Sequence, residues 1–111
     1  MSRLPHSERA VLDVNKIEDY CLDPMHLHGR HKARVFRSAL GLIRSDAAWL
    51  REALLQGVRD NEAVELVSDI FGVRWRVDLP VRRHDRHAVI RTVWIVRTGD
   101  DAPRFVTCWV L

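Results

Sequence analysis

Cysteine is scarce in this chain: Cys21 and Cys108 sit in different halves, with no CxxC or CxxH spacing. That spacing argues against a cysteine-based zinc site and allows at most one disulfide. Both are expected as reduced, buried, small apolar side chains. Long apolar runs are missing too. None approaches the roughly 18 residues that a membrane-crossing helix needs, which points away from a membrane protein. The opening MSRLPHSERA lacks the apolar stretch of a secretory signal, so the expected compartment is the cytoplasm. There is no repeat, low-complexity tract or Gly/Ser linker to mark a domain boundary. A length of 111 residues supports one core, so a single domain over 1–111 is expected, with 1–10 as a loose arm.

What is present is ordinary globular composition, 47% apolar and 30% charged. The charge is unevenly placed. Residues 1–44 carry 8 basic and 5 acidic groups, residues 45–71 carry 2 and 6, and residues 72–111 carry 8 and 4. Two basic ends therefore flank an acidic middle. A pI near 9.4 permits a polyanionic partner, but all the positive charge except Lys16 and Lys32 is arginine, which a GC-rich genome also produces.

Periodicity places helices first and strands second. Ile17, Tyr20, Cys21 and Leu22 have helix-like spacing until Asp23-Pro24. A second helix is expected over His31–Leu40, with Ala33, Phe36 and Leu40 on one stripe and Gly41 as its breaker. Ser45 is the expected N-cap of a third, which carries Leu50, Leu54 and Val58. From Glu62 the period shortens: Val73, Trp75, Val77 and Leu79 alternate with Arg74, Arg76 and Asp78, and Pro80 is expected to end that strand. Val81–His87 reads as a polar connection, Ala88–Val96 as a central strand, Thr98–Pro103 as a turn and Arg104–Val110 as a last strand. The fold class expected is α+β, N-terminal helices packed on a four-stranded antiparallel sheet.

One segment stands out for chemistry. Asp23–Arg34 holds His26, His28 and His31 with Arg30, Lys32, Arg34 and Gly29 just before a helix. Free N–H groups at a helix start, a glycine that lets a phosphate approach, and Arg30 and Lys32 as charge partners would make an anion site without a metal. The same residues also read as a capped loop with a solvated basic face. Zinc held by the three histidines is disfavoured, since no nearby Cys or Glu completes a tetrahedral set and the surroundings are cationic. Arg91 and Thr92 interrupt an apolar strand and point to opposite sides of it. Arg104 and Thr107, three apart, also face opposite sides if the last strand is regular.

In order and spacing the chain resembles an uncharacterised family of small bacterial domains. The stretches that carry the likeness are Ile17–Pro24, His26 with Gly29-Arg30-His31-Lys32-Ala33, Leu40-Gly41, Ile90-Arg91-Thr92-Val93-Trp94, and Pro103-Arg104-Phe105-Val106-Thr107. It departs from the family at Cys108-Trp109-Val110, where Ala-Tyr-Pro is common. At the level of fold the arrangement is similar to the barnase, EndoU, colicin and RelE class of ribonuclease toxins. That likeness implies a metal-independent endoribonuclease, with no cofactor, in which a ribose 2′-OH attacks the adjacent phosphate. His26 would act as general acid or base, Arg30, Lys32 and Arg104 would stabilise the developing charge, and Thr107 or Thr92 would orient the phosphate. His28, Arg34, Arg82, Arg83, Arg91 and Thr92 would contact the RNA around them. It further implies a small acidic antitoxin or immunity partner, with a second copy of the chain as another partner. Two alternatives stand beside this reading. One is a nucleic-acid or phosphate-binding module without catalysis. The other is an interaction protein whose acidic third helix (Asp46, Glu52, Asp60, Glu62) docks a basic partner.

Overall fold

The structure, a computed structural model, describes residues 2–111. Helix α1 (Val14–Lys16) runs into a π turn over Ile17–Cys21 and is followed by α2 (Arg30–Leu40) and α3 (Ala47–Asp60). Strands β1 (Ala63–Asp69), β2 (Gly72–Arg83), β3 (Arg86–Arg97) and β4 (Arg104–Val110) follow, in the spatial order β1-β2-β3-β4, every neighbouring pair antiparallel. The α+β expectation, helices before a four-stranded antiparallel sheet, holds. No helix among the described residues is long and apolar enough to cross a membrane.

Helices and sheet meet through the side chains that the periodicities selected. Ala33, Phe36 and Leu40 of α2 and Leu50, Leu54 and Val58 of α3 are buried against Val77, Leu79, Ile90, Trp94, Phe105 and Cys108 of the sheet. Trp94 sits at the centre of this layer, edge-to-face with Phe105 at 5.4 Å between centroids. Gly57 lets α3 lie close to β2, where a Cβ would press on Leu79. Helix α2 ends as expected at Gly41, whose left-handed φ of 66° turns its N–H back to the Arg37 carbonyl.

Within the segment 1–10, Leu4 is buried and the Ser2 carbonyl accepts the Ala63 N–H, while Met1 lies outside the described residues. Three expectations need correction. Ser45 does not cap α3; it lies within a short 3₁₀ turn, and Asp46 Oδ2 takes the Ile43 N–H instead. Pro80 does not end β2. It pairs with Val89, and β1 pairs β2 only as far as Val77, so Pro80 lies where β2 has no second neighbour to bond. Val81–His87 is not a loop either: β2 and β3 pair up to Arg83↔Arg86, leaving only His84 and Asp85 in the turn, with His84 at φ 58°.

Away from the hairpins, Val11 forms an isolated parallel bridge with Arg104 through Val11 N–H to the Pro103 carbonyl and Phe105 N–H to the Val11 carbonyl.

Candidate functional site

One face of the sheet is covered by helices and the other is not. The register places Arg74, Arg76, Asp78 and Arg82 of β2 and Arg91, Val93, Ile95 and Arg97 of β3 on the uncovered side, opposite the side bearing Val77, Leu79, Ile90 and Trp94. Strand β4 joins them through a bulge. Phe105 pairs with Trp94 and Thr107 with Val93, so Val106 is an extra residue. Phe105 and Cys108 can both face the core as a result, and Arg104, Thr107 and Trp109 all stand on the uncovered face, opposite Ile95, Val93 and Arg91. The regular strand assumed from sequence would have split Arg104 from Thr107.

Lys32 reaches this face from the helix layer. Its Nζ donates to Thr107 Oγ1 at 2.8 Å and lies 5.2 Å from the Tyr20 ring centre and 5.3 Å from that of Trp109. The ammonium thus crosses the free edge of β4 and sits between two aromatic rings. Lys16, one helical turn before Tyr20, donates from Nζ to the Phe105 carbonyl on the same edge. A cavity of about 340 Å³ opens here between Lys16, Tyr20, Lys32 and Thr107. His26 packs edge-on against Tyr20 at 4.8 Å.

His26 shares with Lys32 a contact to the Tyr20 ring, but its own ring does local work. Nδ1 accepts the N–H groups of His28 (3.1 Å) and Gly29 (3.0 Å), and the His26 carbonyl accepts that of Arg30. A ring that accepts at Nδ1 carries its neutral-state proton on Nε2, so His26 as folded has no free lone pair to act as a base. These bonds occupy N–H groups that an anion at the start of α2 would have used. Gly29 has a different reason from phosphate approach: a Cβ there would collide with the Tyr20 carbonyl.

The remaining sequence-predicted residues separate. Arg30 and Arg34 point to the other flank of α2, where with Arg37 and Arg44 they line a cavity of about 610 Å³ walled by Leu22, Met25, Leu42 and Ile43. Arg104 shares a cationic recess with Lys16, Arg74 and Arg97, its Nε 3.4 Å from Asp100. Arg91 grips Asp78 with two 2.9 Å bonds, and that fork holds the Asp78 carboxyl below its ordinary value. With Asp78 so engaged, Arg76 Nε stays 3.7 Å away and has no hydrogen-bond partner among the described residues. Six arginines (74, 76, 82, 91, 97, 104) against three aspartates (69, 78, 100) leave this face with an excess of three positive charges.

Three expected contacts have structural roles instead. Thr92 is fully buried, donating to the Val77 carbonyl and accepting Trp94 Nε1 at 2.8 Å, so it serves the core. Arg83 ties the end of α2 to α3: it donates to the Leu40 and Gly41 carbonyls and Asp46 Oδ1 and stacks over Trp49 at 5.4 Å. Arg82 bonds the His84 carbonyl across the hairpin turn. His28 is exposed and lends its N–H to His26. Of the acidic residues expected to dock a partner, Asp46 is taken up by Arg83 and the Ile43 N–H. Sequence reasoning missed Lys16, Tyr20 and Trp109; the i, i+4 spacing of Lys16 and Tyr20 was the available signal, whereas Trp109 reads as core until the bulge is known.

The model of one protein family, described as Domain of unknown function (DUF6883), matches residues 3–111. Neither a curated protein nor a solved structure matches the chain.

Proposed function

The chain belongs to the DUF6883 family of unknown function, and from that premise we propose that its uncovered sheet face binds the phosphate backbone of RNA. The observation that carries this reading is the Val106 bulge, which gathers Arg104, Thr107 and Trp109 onto one cationic face and meets Lys32 at its edge. Excess positive charge supplies sequence-independent affinity, and a half-exposed tryptophan beside a lysine suits a base next to its phosphate. The test is fluorescence anisotropy with a labelled single-stranded RNA over a range of salt. The logarithm of affinity should fall by about 0.7 per phosphate contacted for each decade of salt. Absence of binding at low salt, or binding indifferent to salt, would overturn the proposal.

A second reading, the metal-independent endoribonuclease of toxin type, is favoured by the Lys32–Thr107 bond, by the contacts of both Lys32 and His26 to the Tyr20 ring, and by the order of elements, helices before a four-stranded antiparallel sheet, which is similar to the barnase, EndoU, colicin and RelE class. In it a 2′-OH attacks the neighbouring phosphorus, the bond to the 5′-oxygen breaks, and a 2′,3′-cyclic phosphate and a free 5′-OH result. Lys32 and Arg104 stabilise the added charge on phosphorus and Thr107 orients it. Arg30 lies on the wrong flank for this, and His26 must first release the His28 and Gly29 N–H groups to serve as acid or base. An acidic partner protein that covers the same face belongs to this reading. Cleavage of labelled RNA in excess chelator, lost in Lys32→Ala, supports it; intact RNA with retained binding leaves the binding reading alone.

A further inference from the structure

We propose that Cys21 and Cys108 form a dithiol that peroxide oxidises to a disulfide, a modification site built into the wall of the Lys32 pocket. The two residues are 87 positions apart, yet their sulfurs lie 3.8 Å from each other, one at the end of the π turn and one on β4. Both are buried free thiols. Cys21 forms part of the lining of the cavity beside Lys16 and Lys32, the side from which a small oxidant would approach it.

The two thiols are unequally placed, and placement assigns their roles: Cys21 lines the cavity, whereas Cys108 is fully buried. A hydrogen bond from the Cys108 thiol, helped by the charges of Lys32 and Lys16, draws the Cys21 thiol below its ordinary pKa against the opposing effect of burial. The same contact, and then burial, push Cys108 up. On the cavity side of the pair, Cys21 is the attacking thiolate, and Cys108 behind it is the resolving thiol. The Cys21 thiolate attacks one oxygen of hydrogen peroxide, the O–O bond breaks, hydroxide leaves, and Cys21 becomes a sulfenic acid. Cys108 sulfur then attacks the Cys21 sulfur, the S–O bond breaks, and water departs with the Cys108 proton. In sum two thiols and one peroxide give one disulfide and two waters, two electrons passing from sulfur to oxygen.

Oxidation must reach the RNA-facing site because the sulfurs have to close from 3.8 Å to about 2.05 Å. Tyr20 precedes Cys21, and Thr107 and Trp109 flank Cys108; these three side chains are the ones that hold Lys32. The thiol chemistry itself stands whether or not the face binds RNA.

The test treats the folded wild-type chain with a small molar excess of hydrogen peroxide and follows intact mass, free thiols and tryptic peptides. The expected result is a monomer lighter by about 2 Da, with both thiols lost, residues 17–30 linked to residues 105–111, and full reversal by dithiothreitol. Cys108→Ser should stop at the sulfenic acid, about 16 Da heavier and trapped by dimedone. Thiols that survive in the folded chain and react only after urea unfolding would overturn the proposal. So would linkage between copies, or conversion of Cys21 to sulfinic acid with Cys108 untouched. The wild-type measurement decides by itself should the serine variant fail to fold.

Discussion

Lys32 and Thr107 are joined by a 2.8 Å hydrogen bond that crosses the free edge of β4. One partner belongs to the helix layer and the other to the uncovered face of the sheet, so this bond is the hinge between the fold and its proposed ligand surface. The edge it crosses would otherwise offer unpaired backbone groups to a stray strand, and Lys16 on the Phe105 carbonyl guards the same edge.

Removing the Lys32 ammonium while keeping its stem, as in Lys32→Met, should weaken RNA binding about tenfold, the size of one charge-assisted contact of ~1.5 kcal/mol. The salt slope should fall by about 0.7. Anisotropy titrations measure both, and an unchanged affinity would remove Lys32 from the interface.

Gly29→Ala should destabilise the fold by about 1–3 kcal/mol, because the added methyl meets the Tyr20 carbonyl and α2 must shift away from the π turn. Urea denaturation gives the figure. A neutral result would mean that α2 is free to move there.

Arg83→Ala should cost about 1–3 kcal/mol of stability, since it strips a mostly buried Asp46 of its cation and the end of α2 of its donor. Its affinity for RNA should match that of the unaltered protein. Loss of RNA affinity without loss of stability would reverse the role assigned to Arg83.

Stability should decline in acid partly through Asp78. Its folded-state pKa lies below the ordinary value because Arg91 bonds the carboxylate. The contribution is therefore present above the ordinary carboxylate pKa of roughly 4 and disappears as pH falls through the lowered folded value. Asp69, held first by the Phe71 N–H, and Asp100, held first by the Ala102 N–H, act in the same direction. Denaturation midpoints at falling pH should drop less steeply in Asp78→Asn than in the unaltered chain. Parallel curves would show that the Arg91 pair is energetically idle.

Much of the fold was legible because local rules and tertiary packing agree. Ala33, Phe36 and Leu40 recur at helical spacing, and Gly41 stops α2. Odd positions from Val77 to Val81 are buried while their even neighbours stay outside. What was not legible depended on partners distant in sequence. Pro80 reads as a stop signal unless the short reach of β1 is known, and the residue before α3 is Asp46, not Ser45, with its carboxylate turned to the Ile43 N–H and to Arg83. The site was harder still. A single extra residue, Val106, decides which way Arg104 and Thr107 face, and periodicity has no term for a bulge. Meanwhile Arg30 and Lys32, two positions apart on α2, necessarily diverge to opposite flanks, which helical geometry foretells.

The strand order also sets a sequence of events in time. Each strand pairs with its neighbour in the chain, so the sheet can zip up from the β2–β3 hairpin outward by closing short loops only. The Val11–Arg104 bridge is different, since it spans nearly the whole chain and gains its two hydrogen bonds only once β4 is in place. During refolding the amides of Val11 and Phe105 should therefore acquire protection from hydrogen exchange after those of β2 and β3, and in the native protein they should be among the first to lose it.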